Sequence, residues 1–460
     1  MRKKIEDFDS LIKHLTKSIQ GTSCMENELF KKYNVKRGLR NEDHSGVLVG
    51  LTNIGDVVGY KRQEHGNTLP LDGELFYRGI NIKDIVLGFQ ADERHGFEEV
   101  VYLLLAGKLP DRETHDVFRE LLSSQRTLDP AIKMSILDFK GLDIMNVLAR
   151  TVMVMYVRDL EADNTSRENL LKQSIKLIAQ FPTIIAYAYH SMQHYYRNKT
   201  LSIRHPVPEL SMAENFLYML KGENNYTKLD ADVLDLVQVL HAEHGGGNNS
   251  TFTVRVISSS STDTYSAITA GIGSLKGPLH GGANLRVKHM FDHLKSSITE
   301  WKDEQEIKEY MLKILKREVY DKIGKIYGIG HAVYTKSDPR SILLKAMAKK
   351  LAIEKGRLDE YEFLHIIERM GIEAFMDYKG TKVGKVVCAN VDFYSGFVYE
   401  MIGIPKELYT PLFAMSRIAG WCTHRIEELN FESKRIIRPA YKNVCNREDY
   451  VPIVKRINKI

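Results

Sequence analysis

Residues 277–284 read Gly-Pro-Leu-His-Gly-Gly-Ala-Asn, and the interpretation of the whole chain starts from this stretch. Pro278 fixes the direction of the backbone, and the glycines after His280 allow a sharp turn and the close approach of another group. An imidazole presented on such a turn is open to a bound molecule, unlike one inside a helix. Because most histidines are structural or merely exposed, this interpretation needs support from elsewhere in the chain.

The composition is typical of a globular protein and argues against several classes of function. Of 460 residues, 43% are hydrophobic and 27% are charged, with a net charge of +6. The basic residues are dispersed, so we expect no nucleic-acid partner, whereas acidic small molecules suit the basic balance. The four cysteines form no Cys-x-x-Cys pair, no apolar run reaches about 18 residues, and the N-terminus lacks a signal-peptide core. We therefore expect a cytoplasmic protein with no membrane span.

Hydrophobic periodicity predicts an all-α fold. Apolar residues recur at helical spacing along most of the chain, which predicts roughly fifteen to twenty helices. Short β-like pieces at about 45–79, including residues 47–49, predict small hairpins. We further expect a helix from about Glu304 to Lys322 and a kink or break at Pro182. We expect helix starts at the capping-box signature Ser211-x-x-Glu214, at Asp338-Pro339 and at Asn390.

A change in charge density predicts the domain organisation. The segment 284–406 is more charged and is flanked by glycine-rich loops, so we expect it to form a smaller helical domain. Residues 1–283 and 407–460 would form a large helical domain that carries the hairpins.

His244 provides a second polar site. It follows an apolar helical stripe and precedes Gly245-Gly246-Gly247, so a helix C-cap and a ligand-binding imidazole are equally good interpretations. A metal site shared with His241 is a third interpretation. The spacing differs from that of a His-Glu-x-x-His zinc helix and no third ligand is nearby, so we expect no metal.

Two more polar stretches follow. Gly328 and Gly330 expose backbone N–H groups beside His331, and Arg340 falls in a predicted first helical turn. The helix dipole disfavours a cation there but favours an anion, so an anion site is the better interpretation. Asp392 also falls in a first turn, where acidic residues are ordinary and a structural role is the stronger interpretation.

Together these stretches resemble the citrate synthase family, and the resemblance covers most of the chain from about residue 36. It rests on these segments: Phe76–Gly79, Leu240–His244, Gly277–Asn284, Gly330–Tyr334, Asp338–Arg340, Asn390–Gly396, Ser416–Trp421 and Arg438–Pro439. The resemblance implies a two-domain, nearly all-helical homodimer whose small domain closes over the substrate. It also implies condensation of oxaloacetate with acetyl-CoA, an acyl-transfer reaction that gives citrate and CoA.

The resemblance also implies a role for each matching residue. Asp392 would remove a methyl proton from acetyl-CoA, His280 would hydrogen-bond the thioester oxygen, and His331 would polarise the oxaloacetate ketone. Oxaloacetate would be held by His244, Arg340, Arg417 and, from the partner subunit, Arg438. CoA would be met by Gly328, Gly330 and Arg40. No metal and no permanently bound cofactor are implied, since acetyl-CoA is a co-substrate.

Two alternatives remain open at this point. A 2-methylcitrate synthase would use propionyl-CoA, and one extra methylene is worth only about 1–3 kcal/mol of discrimination. A non-catalytic helical protein that binds an acid or CoA would retain the fold and make Asp392 dispensable.

Overall fold

The structure, a computed structural model, describes residues 8–22, 25–43, 45–63, 68–379 and 386–456. Its chain divides into two units, Met1–Leu48 with Ile437–Ile460, and Val49–Ile436. The first unit contains α1 (Phe8–Thr22) and α2 (Asn27–Lys32). Within it the C-terminal segment has almost no regular structure. The second unit holds the remaining helices and the sheet.

Helices make up most of the regular structure of the second unit in its described part. Its helices are α3 (Ile82–Ala91), α4 (Phe97–Ala106), α5 (Arg112–Ser124), α6 (Pro130–Asp138), α7 (Ile144–Val157), α8 (Arg167–Arg197), α9 (Met212–Lys221), α10 (Lys228–His241), α11 (Asn249–Ser258), α12 (Thr264–Lys276), α13 (Ala283–Ser297), α14 (Glu304–Leu315), α15 (Pro339–Glu354), α16 (Leu358–Lys379), α17 (Asp392–Met401) and α18 (Tyr409–Leu429). Its three strands are β1 (Gly55–Arg62), β2 (Thr68–Tyr77) and β3 (Ile80–Asn81). The predicted helix-rich class is therefore confirmed. In the described residues no helix is long and apolar enough to cross a membrane.

Helix α18 lies at the centre of the second unit. Most of its length is buried, from Leu412 to Arg425, and it packs against α4, α8, α10, α11 and α12. Trp421 is fully buried on this helix, and its indole N–H donates to Ser250 Oγ at 3.2 Å. A buried helix normally carries apolar residues on all sides, so the polar side chains of α18 need partners within the core.

The sheet supports the loop between α14 and α15. Strands β1 and β2 form an antiparallel hairpin whose register shifts between Val58 and Tyr60. A Cβ on Gly59 would lie 2.4 Å from the carbonyl oxygen of Val333, and one on Gly73 would lie 2.1 Å from that of Ser337. Only glycine allows the two backbones to approach so closely. The hairpin thereby fixes the segment that carries His331 and Arg340.

Several predicted helix ends are confirmed by their capping contacts. Ser211 and Glu214 form a complete capping box at the start of α9. Asp338 accepts a hydrogen bond from the Arg340 backbone N–H at 3.0 Å, and Pro339 is the first residue of α15. The predicted start of α17 at Asn390 is one position too early, because the N-cap is Val391. Asn390 Oδ1 nevertheless accepts a hydrogen bond from the Asp392 N–H at 3.0 Å.

Other local predictions are wrong. Helix α14 ends at Leu315 and not near Lys322, because Arg317 takes a left-handed conformation with φ 66°. The Glu318 N–H then donates to the Lys313 carbonyl at 3.0 Å, which satisfies the end of the helix. Helix α8 runs unbroken past Pro182, whose neighbours are buried against the core. Residues 47–49 form no strand.

Candidate active site

The turn that carries His280 connects α12 to α13. The His280 N–H donates to the Gly277 carbonyl at 2.9 Å, and a Cβ on Gly281 would lie 2.3 Å from the Leu275 carbonyl oxygen. A residue larger than glycine would therefore not fit at position 281, in agreement with the close approach predicted from the sequence. The ring is half-buried, with Nε2 3.1 Å from Ser250 Oγ and 3.4 Å from the Ser250 backbone nitrogen.

These contacts define the state of the His280 ring. The Ser250 hydroxyl, which also lies 2.9 Å from Asn248 Oδ1, fits either tautomer. Since a backbone N–H can only donate, the Ser250 N–H favours Nε2 as acceptor and Nδ1 as the protonated nitrogen. Burial, and then the charge of Arg417, lowers the pKa of His280 to about 4. The ring is therefore neutral at physiological pH, and its Nδ1–H is available as a hydrogen-bond donor.

His244 and His331 lie side by side although 87 positions separate them in the sequence. Their ring centroids are 5.2 Å apart, and His331 stacks on Tyr334 at 4.7 Å. His244 Nε2 lies 3.3 Å from the Tyr334 hydroxyl oxygen. Helix α10 ends at His241 with Ala242 as its C-cap, so His244 is not the C-cap. Burial, followed by the charge of Arg340, lowers the pKa of His244 well below its usual value, which keeps the ring neutral.

The tautomer of His331 is set by its own loop. The backbone N–H groups of Val333 and Tyr334 both donate to Nδ1, at 3.0 and 3.1 Å. A nitrogen that accepts from two fixed donors cannot carry a hydrogen itself. In the neutral form of the ring the hydrogen therefore lies on Nε2, from which it can be donated to an oxygen.

Arg340 is a buried cation held by one carboxylate. Its Nε lies 3.1 Å from Asp338 Oδ1 and its Nη2 lies 2.8 Å from Asp338 Oδ2. Burial alone would lower the pKa of Arg340, but the Asp338 carboxylate outweighs that effect and the pKa is raised. The guanidinium also lies over the Tyr334 ring, with Cζ 5.4 Å from the centroid. This geometry leaves Nη1 outside both bonds to Asp338.

Arg417 on α18 is fully buried, with no exposed surface. Its Nε donates to the His241 carbonyl at 2.6 Å, and its Cζ lies 4.9 Å from the centroid of Phe413. Among the described residues, neither Nη1 nor Nη2 has a hydrogen-bond partner. Two unsatisfied donors on a buried cation cost free energy unless an anion accepts from them. Two terminal nitrogens on one buried guanidinium are the arrangement expected of a carboxylate-binding site.

Asp392 begins α17, beside the loop that carries His331. The two segments pair through the Gly330 N–H to the Cys388 carbonyl at 2.8 Å and the Asn390 N–H to the Gly328 carbonyl at 2.9 Å. Burial raises the pKa of Asp392 to about 6, against the opposing charge of Arg340. The carboxylate is therefore still mostly ionised at neutral pH but is a stronger base than a solvated aspartate.

The structure thus brings most of the predicted residues together. The rings of His280 and His241 both contact Phe413, at centroid distances of 6.3 and 4.7 Å. Both arginine charges, from Arg340 and Arg417, act on Asp392 and on His244. The cluster therefore unites turns and helices from residue 241 to residue 417.

Two predicted arginines belong to the other unit of the chain. Arg40 forms an isolated antiparallel bridge with Gly46, and Arg438 is exposed in the C-terminal segment. Their roles remain predictions. Gly328 and Gly330 both have positive φ, 81° and 95°, which favours glycine at both positions. The Gly330 N–H was predicted to be exposed, but it donates to the Cys388 carbonyl.

Some residues of the site were missed from the sequence. Ser250 and Phe413 carry no local signal, because a serine in a helix and a phenylalanine in an apolar stripe are ordinary. Asp338 was interpreted only as a helix cap, and its second role as the partner of Arg340 depends on side-chain geometry. In the part of the chain that is described, no group of three or more His, Cys, Asp or Glu could hold a metal ion.

Comparison with known sequences gives a consistent result. A family model described as "Citrate synthase, C-terminal domain" matches residues 43–440. A citrate synthase of Haloferax volcanii is 35% identical over 432 residues, covering 92% of this chain and 99% of the relative. A 2-methylcitrate synthase of Shewanella oneidensis is 34% identical, covering 83% of this chain and 92% of the relative. The region matched by the family model contains all the site residues from His244 to Arg417.

Solved structures share the fold. The citrate synthase of Pyrobaculum aerophilum superimposes with a TM-score of 0.71 at 29% identity, covering 90% of this chain and 94% of the other. That of Thermoplasma acidophilum, a ternary complex with carboxymethyl coenzyme A and oxaloacetate, gives 0.74 at 28% identity, covering 92% and 99%. The all-α architecture expected from the sequence is confirmed by these neighbours.

Proposed function

The chain belongs to the citrate synthase family and is a condensing transferase of that type, and we propose that it joins oxaloacetate to acetyl-CoA and water, giving citrate and CoA. The observation that carries the proposal is that the charge of one buried arginine, Arg417, acts both on a carboxylate with a raised pKa, Asp392, and on the neutral imidazole of His280. Among the described residues, the terminal nitrogens of this arginine have no hydrogen-bond partner. The Thermoplasma acidophilum relative was solved with oxaloacetate and a CoA derivative, which supports this choice of substrates.

Asp392 and His280 would generate the nucleophile. A thioester methyl group is a very weak acid, so its proton can leave only if the developing enolate oxygen is stabilised at the same time. Asp392 takes the methyl proton while the Nδ1–H of His280 donates to the thioester oxygen. A neutral donor suits this step, and the low pKa of His280 keeps it neutral. The two groups act as base and hydrogen-bond acid on one molecule.

His331 would activate the second substrate. Its Nε2–H donates to the ketone oxygen of oxaloacetate. The enolate carbon then bonds to the ketone carbon while the C=O π electrons move to that oxygen, which is protonated to a hydroxyl group; the methyl proton taken by Asp392 balances the proton gained there. The fixed Nδ1 acceptor holds the ring in this tautomer without rearrangement during the reaction. Water finally hydrolyses the thioester of the product, which releases citrate and CoA.

Oxaloacetate is a dianion and needs several donors. The two terminal nitrogens of Arg417 can bind one carboxylate in a bidentate manner, and Arg340 with His244 would hold neighbouring oxygens. Arg438 of the partner subunit is proposed to complete the set, which requires a homodimer. Closure of a small domain, residues 284–406, over the large domain would exclude water until condensation is complete.

The proposal also covers the CoA contacts and the cellular compartment. The positive-φ loop at Gly328 and Gly330 offers a close backbone surface for CoA, and Arg40 would meet a CoA phosphate. No permanently bound cofactor and no metal enter the scheme. A cytoplasmic location is supported by the four cysteines without paired spacing.

A thiol-release assay with both substrates tests the proposal. We expect CoA release only when oxaloacetate and acetyl-CoA are present together. If no CoA is released with both substrates present, the proposal is contradicted. A second candidate, 2-methylcitrate synthase, is favoured by a relative at nearly the same identity, 34% against 35%. The ratio of kcat/KM for acetyl-CoA to that for propionyl-CoA, measured in the same assay, distinguishes the two.

A further inference from the structure

A second pair of buried ionisable residues lies behind the site and takes no part in the chemistry above. Glu243 and His424 have no exposed surface, and Glu243 Oε1 lies 2.9 Å from His424 Nε2. Glu243 immediately precedes His244, and His424 is on α18, two helical turns beyond Arg417. Buried groups of this kind are costly to desolvate, so their role needs an explanation.

The direction of the hydrogen bond follows from the next residue in the network. Arg255 Nε always carries a hydrogen and lies 3.0 Å from His424 Nδ1, so Nδ1 accepts. The ring hydrogen is therefore on Nε2 and is donated to Glu243. Arg255 is itself held by Glu428, at 2.6 Å, and by Glu427. The network is therefore anchored on α11 and α18 and ends at the carboxylate of Glu243.

Glu243 connects this network to the turn that carries His244. The same Oε1 accepts from the Gly245 N–H, and Gly245 has φ 79°. The backbone of Glu243 is held separately, because its carbonyl accepts from the Tyr77 hydroxyl at 3.1 Å. Three glycines follow His244, and such a segment loses much conformational entropy when it is ordered. The carboxylate of Glu243 fixes the first of them.

The surrounding backbone makes room for this carboxylate. A Cβ on Gly420 of α18 would lie 2.4 Å from Glu243 Oε2, and one on Gly55 would lie 2.8 Å from Oε1. Neither glycine has a positive φ, so conformational freedom does not explain them. Space for the side chain of Glu243 explains Gly55, and at Gly420 it acts together with the Ala242 carbonyl oxygen, which would lie 2.5 Å from a Cβ there. Both glycines therefore make room for a side chain of this length.

We propose that Glu243 and His424 are positioning residues that hold the His244 ring in the direction needed to bind oxaloacetate. The inference rests on the proposed role of His244 in that binding. His244 Nε2 lies 3.3 Å from the Tyr334 hydroxyl oxygen, and the His244 and His331 ring centroids are 5.2 Å apart. A shift of about 1 Å in a group that positions a substrate can lower the reaction rate up to roughly a hundredfold. Both bonds of Glu243 use Oε1, so a side chain of the same length with one acceptor oxygen can make them. The proposal therefore makes reach the property that holds His244, and not the charge that Glu243 also places near Arg417.

Two substitutions separate reach from charge. Glu243→Gln keeps the length and an acceptor oxygen but removes the charge, whereas Glu243→Asp keeps the charge and shortens the side chain. Glu98→Asp is the matched control, because Glu98 is equally buried and accepts a backbone N–H, from Met212 at 2.8 Å. The dissociation constant for oxaloacetate is measured by calorimetry on the full chain without CoA, and kcat and KM are measured beside it.

We expect Glu243→Asp to weaken oxaloacetate binding about tenfold, corresponding to a loss of about 1.4 kcal/mol. The dissociation constant for oxaloacetate should stay within about threefold of the original value in Glu243→Gln and within about twofold in Glu98→Asp. In Glu243→Asp, KM for oxaloacetate should change more than kcat. His424→Ala removes the donor that holds Glu243, so it should weaken oxaloacetate binding about as much as Glu243→Asp does. The double variant should bind only slightly more weakly than either single variant.

The inference is overturned if Glu243→Gln is the weak binder and Glu243→Asp is not, since charge would then be the relevant property. It is also overturned if neither variant changes the dissociation constant, if Glu98→Asp weakens binding equally, or if the original protein does not bind oxaloacetate. If the original protein binds oxaloacetate but releases no CoA, the proposed reaction fails while the binding series still decides the role of Glu243.

Discussion

Replacing Asp392 by asparagine should make the protein more stable and nearly inactive at the same time. The pKa of Asp392 is raised from 3.8 to about 6 by burial. A shift of about two pKa units corresponds to about 3 kcal/mol at about 1.4 kcal/mol per unit. Because the side chain is only half-buried, solvent screens part of this cost, and we expect about 1–3 kcal/mol. Asparagine has the same shape without the charge, so it should recover that free energy.

The pH dependence of the effect follows from the direction of the shift. The pKa is higher in the folded state than in the unfolded state, so the cost is absent below about pH 4, where both states are protonated. It develops between about pH 4 and pH 6 and is complete above about pH 6. Denaturant unfolding of Asp392→Asn and the original protein at about pH 5 and pH 8 should therefore show a larger difference in the free energy of unfolding at the higher pH.

The same variant should lose roughly 10²- to 10⁴-fold in kcat, the usual contribution of a general base, while still binding oxaloacetate. Asp84→Asn is the control, because Asp84 lies in the first turn of α3 but is exposed, and its stability should change by less than about 0.5 kcal/mol. A stability difference that is equal at both pH values, or a loss of stability at pH 8, would refute the argument that a desolvated carboxylate occupies this position. Unchanged activity would refute its role as the base.

Three further outcomes are expected. The kcat/KM of the original protein should rise with pH through about 6 and then level off, as the ionisation of Asp392 requires; a pH profile with no limb near 6 would contradict this. Arg417→Lys should raise KM for oxaloacetate at least roughly tenfold, because an ammonium cannot replace two terminal N–H donors, and a KM within twofold would count against a bidentate contact. Asp338→Ala should lower the free energy of unfolding by about 3–5 kcal/mol because it leaves Arg340 buried without its carboxylate, a loss that denaturant titration would detect and that a change below about 1 kcal/mol would disprove.

Local predictions succeeded where a few neighbouring residues decide the outcome. The capping box of Ser211 and Glu214, and the Asp338-Pro339 start of α15, involve contacts within four positions, so the sequence contains all the required information. The prediction of where α14 ends failed because apolar spacing continues past Leu315. The helix ends at a left-handed turn at Arg317, and without a glycine such a turn cannot be recognised from the sequence. The unbroken path of α8 past Pro182 depends on packing from other helices, which outweighs one missing hydrogen bond.

The candidate site shows the same division. His280 and His331 stood out in the sequence because each lies in a short stretch of unusual composition. Asp392 is ordinary in its local stretch, and only the family resemblance pointed to it; the roles of all three stay predictions. The proximity of His244 to His331 could not, since it results from the packing of two loops far apart in the chain. The β1–β2 hairpin that supports one of these loops contributes only backbone, through Gly59 and Gly73.

The sequence by itself therefore determined the helical class, the family and the types of chemical group at the site, because periodicity and short motifs are local properties. Only the tertiary structure decided the state of those groups. The raised pKa of Asp392, the tautomer of His331 and the unpaired nitrogens of Arg417 all depend on which atoms surround them. Burial and opposing charge act over a few ångströms of space, and spacing along the chain does not specify that distance.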